Sequence, residues 1–183
     1  MNIFVLHKDP FVAAKQHCDK HVVKMIVESA QMLSTAHRIL DGVERICISN
    51  GRRYRRWFLS DSRERVMYKS VHTNHPCTLW TRESSKNYTW HYNLFVALCE
   101  EYTHRYGKVH ATESKLVEVL SFLPDNLPCG DMTNFRLAMN SSPECISPDP
   151  IQSYRNFYKT KKKRFKMVWT KRQTPEWFIK EQV

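Results

Sequence analysis

The chain has 183 residues, 42% of them hydrophobic, with five Trp, eight Tyr and nine Phe. That suits one compact domain with a real core and leaves too little chain for two. Four glycines exclude a glycine-rich nucleotide loop, and a formal charge of +11 points to a polyanionic partner, nucleic acid or a nucleotide, with no apolar run long enough for a membrane span.

Residues 2–6, Asn-Ile-Phe-Val-Leu, read as one short buried strand. The run is too short, and His7-Lys8-Asp9-Pro10 too soon charged, for a signal peptide. Asp9 before Pro10 is an N-cap followed by proline in the first turn, so a helix begins there. Helical periodicity over 19–40 closes at Asp41-Gly42. Residues 45–49 and 52–59, around Asn50-Gly51, read as two strands joined by a type I′ turn, within a basic insertion spanning 43–65. His72 to Pro76 forms a loop, because the residue before proline is kept out of the helical region. A long helix is expected over 78–106, with Tyr88, Tyr92, Phe95, Leu98, Cys99, Tyr102 and Tyr106 as its apolar stripe and Gly107 as its stop. A shorter helix follows at 113–122, capped by Thr112. Pro124 to Pro150 lacks periodicity and forms a long loop of the kind that often serves function. Asp149-Pro150 opens another helix with Ile151, Tyr154, Phe157 and Tyr158 inward, and a basic, aromatic tail over 159–178 docks on the domain. The fold class is therefore mainly α, a single helical domain with a minor strand or hairpin element.

The segment His17 to Glu28 concentrates the polar chemistry. Read as a helix, it places His17, Lys20, His21, Lys24 and Glu28 along one stripe, opposite Val22, Val23, Ile26, Ala30 and Leu33. Such a row is either a solvated face or an anion-binding or acid–base site. The His17/His21 spacing is one used by helical zinc ligands. Cys18 stands where a HExxH motif needs glutamate, however, and Lys20 would set a positive charge beside the metal. No metal or cofactor is expected. Lys20 or Lys24 could act as a nucleophile or Schiff-base former with Glu28 as acid or base, or the lysines and His21 could clamp a phosphate. His75, in a loop before a helix, is a candidate general acid or base. Asn87 lies near the start of that helix. At its far end Glu101, Arg105, Lys108 and His110 suit C-capping and ion pairing, with Arg105 and Lys108 also candidate phosphate contacts.

Two basic stretches mix cations with aromatics, as phosphate contact plus base stacking requires. One holds Arg52, Arg53, Arg55 and Arg56 with Tyr54 and Trp57; the other holds Lys161, Lys162, Lys163 and Arg164 with Phe165 and Trp169. The six cysteines are scattered without a CxxC pair, which suits small core residues in a reducing cytosol. No serine or cysteine hydrolase signature occurs.

The pattern Cys18-Asp19-Lys20-His21-Val22-Val23-Lys24-Met25 with Glu28 resembles a family of small uncharacterised tailed-bacteriophage proteins. So do Asn74-His75-Pro76, Asn87-Tyr88-x-Trp90, Arg105-Tyr106-Gly107-Lys108-x-His110 and the ending Trp169 to Phe178. The resemblance covers most of the chain outside 43–65 and implies expression in the cytoplasm of an infected bacterium. It supplies positions rather than a mechanism. The leading expectation is a phage-type enzyme acting on DNA or a nucleotide, by base excision, nucleotide modification or phosphodiester chemistry. Lys20, Lys24, Glu28 and His75 would be catalytic, and His21, the arginines of 52–56, Asn87, Arg105, Lys108 and the 161–164 cations would bind nucleic acid. The alternatives are a non-catalytic binder of nucleic acid or a nucleotide signal, and an anti-defence inhibitor of an acidic host protein.

Overall fold

The computed structural model describes residues 1–179 as a mainly helical single domain with one two-stranded hairpin. Helix α1 (Pro10–Gln16) starts where Asp9 accepts from the backbone N–H groups of Phe11 and Val12. Helix α2 (Asp19–Asp41) is the long central element, and it ends at Gly42. A Cβ at Gly42 would lie 2.4 Å from the Arg38 carbonyl oxygen and 3.1 Å from that of Phe58, so the chain can turn into the hairpin there only without a side chain. Strands β1 (Val43–Ser49) and β2 (Arg52–Phe58) pair antiparallel, with Asn50 and Gly51 at φ 48° and 73°, the type I′ geometry. After the one-turn helix α3 (Arg63–Val66) come α4 (Pro76–Thr81), α5 (Ser85–Tyr106) and α6 (Ala111–Leu120). Helix α7 (Pro150–Lys159) runs into a 3-10 turn over Thr160–Lys163, and α8 (Glu176–Ile179) closes the described chain. Among the described residues no helix is long and apolar enough to cross a membrane.

Helix α2 packs along α5; α1 lies against α5, and α4 and α6 lie against α2. Met25, Ile26, Leu33, Leu94 and Phe95 are fully buried at this contact, each stabilising the fold by roughly 1.5–3 kcal/mol over the exposed state. Trp169 and Phe178 of the tail dock edge to face and are buried against the body. Arg38, buried near the end of α2, donates to the carbonyls of Trp57, Glu64, Met67 and Tyr68 and to the Glu64 carboxylate, tying the hairpin base to the helical body. The cysteines are all free; four of them, Cys18, Cys77, Cys99 and Cys145, are buried, and burial pushes the Cys77 thiol up to about 11.

The structure departs from the sequence reading in four places. Residues 2–6 are buried but form no strand. Their backbone is bonded by side chains instead, with Phe4 N–H on Asn2 Oδ1 and the Leu6 carbonyl on Arg155 Nε, and Phe4 holds a positive φ of 50° that breaks any ladder. The expected helix over 78–106 is two helices, because the Ser84 hydroxyl caps Asn87 N–H and starts α5 afresh. Helix α6 begins two residues early, and its N-cap is His110, whose Nδ1 accepts from Thr112 N–H. His17 caps α1 and so is not part of the α2 row, while Val23 on the supposed apolar stripe is exposed.

Candidate active site

The polar row read from the sequence divides in two. His17 and His21 turn inward: both are buried, and His21 stacks on Phe4 at 4.8 Å, with the Tyr158 and Phe165 rings edge-on at 4.8 and 5.4 Å. Burial, with His17 and Lys24 nearby, lowers the His21 pKa to about 3; burial likewise holds His17 at about 4. His21 is therefore neutral at physiological pH and is not the cationic phosphate clamp that the sequence suggested. Glu28 and Lys24 turn toward a cleft that the His21 ring also lines.

This cleft, about 220 Å³, is bounded by Met1 and Asn2, by His21, Lys24 and Glu28 of α2, by Ala138 of the long 124–149 segment, and by Phe157, Lys161, Arg164 and Phe165. Glu28 is its single carboxylate. Its Oε2 accepts from the Asn2 backbone N–H at 2.7 Å and lies 4.0 Å from the α-amino nitrogen of Met1, while Oε1 lies 3.5 Å from Lys24 Nζ. The start of the chain reaches this point because Ile3, Phe4, Val5 and Leu6 are buried and because Asn2 Nδ2 donates to the Ala138 carbonyl. The sequence reading missed this amine. The signal available was the apolar run itself, which drags position 1 into the body once it is buried.

Cations surround the carboxylate. Lys161 is only 7% exposed, with its Nζ 3.4 Å above the Phe157 ring and no carboxylate partner among the described residues. Burial, then Arg164 and Lys24, lowers its pKa. A buried ammonium held only by a ring face is costly unless an anion joins it. Arg164 lines the same cleft, and Lys20 lies over Phe165 at 4.9 Å, outside the lining. His75 caps α4 by accepting Cys77 N–H on Nδ1; burial, the α-amino group and His72 lower its pKa, and Glu28 opposes them, so it shares the electrostatic surroundings of the cleft.

The other expected contacts lie elsewhere. Asn87 is wholly buried, donating to the Trp80 carbonyl and Thr133 Oγ1 and accepting Thr133 N–H. Arg105 is buried and saturated by Glu101, Asp19 and the carbonyls of His17 and Lys15. Both are spent on internal bonds, which leaves no donor for a phosphate. Lys108 and Lys163 are exposed, and Lys162 lies over Phe178. Arg52, Arg53, Arg55 and Arg56 sit on the hairpin, away from the cleft lining. A wider groove of about 620 Å³ lies between α3 and α6, but its Asp61 and Asp125 are already paired with Arg63 and it holds no amine–carboxylate pair. Among the described residues no cluster of His, Cys, Asp or Glu could hold a metal ion.

The structure is thus a helical domain with a single carboxylate, flanked by the α-amine and Lys24, inside a cationic cleft of a kind that suits a polyanion. The family model of pyrimidine dimer DNA glycosylases matches residues 1–114, which include Met1, Glu28 and His75. The chain belongs to that family, and its function is base excision on DNA. No curated protein and no solved structure matches it.

Proposed function

We propose that the chain excises the base from a pyrimidine dimer in DNA, with the α-amino group at the start of the chain as nucleophile and Glu28 as its proton acceptor. The observation that carries this reading is the convergence of the Met1 and Asn2 nitrogens, 4.0 and 2.7 Å away, on the one carboxylate oxygen in a cationic cleft. Breaking an N-glycosidic bond requires something to attack C1′ as the base departs. An amine can do so and hold the sugar covalently. Glu28 takes the proton of the ammonium, the free amine forms a bond to C1′, and the glycosidic pair of electrons leaves on the base, which is protonated in turn from Glu28. The ring oxygen then leaves C1′ with one of the two protons still on the nitrogen, giving a protonated imine. Were Met1 removed, the Asn2 nitrogen would become the free amine beside the same oxygen.

Two physical points favour the α-amine over Lys24, which also touches Glu28. Alpha-amino groups titrate roughly two and a half units below lysine ε-amines, so as a class they offer a far larger unprotonated fraction at neutral pH. Lys24 is moreover 61% exposed, so water competes for it. Lys161 and Arg164 hold the backbone phosphate at the cleft mouth. The cleft is smaller than the roughly 300–1,000 Å³ of pockets that engulf drug-sized ligands. It suits one deoxyribose presented from a strand lying across it. The bacteriophage resemblance supports action in the cytoplasm of an infected bacterium.

The test is a duplex carrying one cyclobutane pyrimidine dimer. Because the two pyrimidines stay joined to each other, the displaced base remains tethered, and the readout is an alkali-labile abasic sugar. Alkali-labile cleavage at the dimer and none in the undamaged duplex is the expected result; equal cleavage of both, or of neither, contradicts the substrate assignment.

A further inference from the structure

The hairpin of β1 and β2 carries five arginines against one glutamate, Glu44. Its register sorts them by face. On one face Ile46 stands opposite Arg55 and Ile48 opposite Arg53, and the two isoleucines are 60% and 71% exposed. On the other, Arg45 stands directly opposite Arg56. Like charges opposed across a ladder weaken it, and nothing on that face neutralises them: Arg45 lies over Phe58 and Arg56 over Tyr54. Arg56 Nη1 is also buried without a hydrogen-bond acceptor. It borders a crevice of about 120 Å³ between hairpin and body, together with Lys69, Arg38 and Glu64. Arg38 is saturated, and Glu64 Oε2 is taken by Arg38 and Leu59 N–H, so Arg56 borders the crevice without an acceptor for Nη1.

We propose that this hairpin is a second DNA-binding element, which grips the duplex backbone at a distance from the cleft and seats a phosphate against Arg56. The proposal rests on the base-excision reading. A cationic two-stranded ribbon fits a DNA groove, and the exposed isoleucines supply apolar contact between its charges. Glu28 and Gly42 are separated along α2 by a rise of roughly 21 Å, or about six base pairs at 3.4 Å per step. The hairpin would therefore read the length of duplex flanking the lesion, without sequence preference.

The experiment measures binding of dimer-containing duplexes whose flanks are lengthened one side at a time from about four to about ten base pairs, across a salt series, for the natural chain and for Arg53→Glu with Arg55→Glu. The natural chain is expected to gain affinity when one flank passes about six pairs. The double variant is expected to lose that gain, with the slope of log affinity against log salt shallower by roughly two. Arg53→Gln with Arg55→Gln should move in the same direction and guards against misfolding from charge reversal. Variants that keep both the flank gain and the slope overturn the hairpin proposal. A natural chain that makes no abasic site at the dimer strikes the base-excision reading instead, so the two failures are distinct.

Discussion

Two charged clusters on the central helices look alike in sequence and differ in how they are satisfied. At the start of α2, Asp19 joins Arg105 and Glu101 of α5 and Arg172 of the tail in a closed network. Arg105 bonds Glu101 and Asp19, Arg172 donates to both oxygens of Glu101, and Thr170 donates to Asp19. Burial pushes the Glu101 carboxyl up, but the two arginines more than offset it and its pKa is lowered. Nine residues further along α2, Glu28 faces the α-amine and Lys24, with Lys161 and Arg164 across the cleft and no second carboxylate. The first cluster neutralises itself and holds α1, α2, α5 and the tail together. The second carries excess positive charge, which the proposed function assigns to an incoming DNA strand.

Substitutions should separate these roles, with the largest effect in the cleft. Glu28→Gln keeps the shape and removes the proposed proton acceptor. Abasic-site formation should fall by about 10²–10⁴-fold, the usual worth of a positioned acid or base, while unfolding free energy changes by less than about 1 kcal/mol. A large loss of stability with activity retained would make Glu28 a structural residue like Glu101. Arg105→Met should do the reverse. It leaves Glu101 and Asp19 short of a partner, so denaturant titration should show a loss of about 3–5 kcal/mol, with activity falling no further than the unfolded fraction explains.

Acid sharpens the same division. His17 and His37 are held at about 4 and His21 and His91 at about 3, in each case chiefly by burial, against an ordinary value of 6.5. Below pH 6.5 the unfolded chain takes up protons that the folded chain refuses. Stability is therefore fully present above 6.5 and is lost as pH falls toward 4, at up to about 1.4 kcal/mol per pH unit per histidine. Thermal unfolding from pH 7 to 4.5 should show this decline; a flat profile would mean that these rings are protonated in the folded state and that the inward face of α2 is polar. The smallest effect belongs to Lys161→Met, which removes one of the phosphate contacts proposed above. The salt slope of DNA binding should become shallower by about one, and an unchanged slope would leave Lys161 as packing alone.

Much of this architecture was legible in the residues. Asp9-Pro10 and Asp149-Pro150 mark helix starts because capping and proline chemistry are local, and Asn50-Gly51 marks the turn because few residues tolerate two left-handed positions in succession. The pairing of Lys24 with Glu28 was legible through i,i+4 spacing. What could not be read depends on partners distant in sequence. Residues 2–6 have strand composition, but no second strand comes to them. His21 has the polarity of a phosphate ligand, but Phe4, Tyr158 and Phe165 enclose it. Arg105 and Asn87 look available until Asp19 and Thr133 are brought against them. The α-amine is a backbone group, invisible to any motif.

Borohydride trapping tests the central assignment most directly. The chain is incubated with dimer-containing duplex and sodium borohydride, which adds hydride to an imine at C1′ and fixes the sugar to the attacking nitrogen; the adduct is then located by tryptic peptide mapping. The expected result is an adduct on the amino end of the peptide ending at Lys8, lost in Glu28→Gln. An adduct on Lys24, or an abasic site formed with no adduct at all, would contradict the assignment of the α-amine as nucleophile.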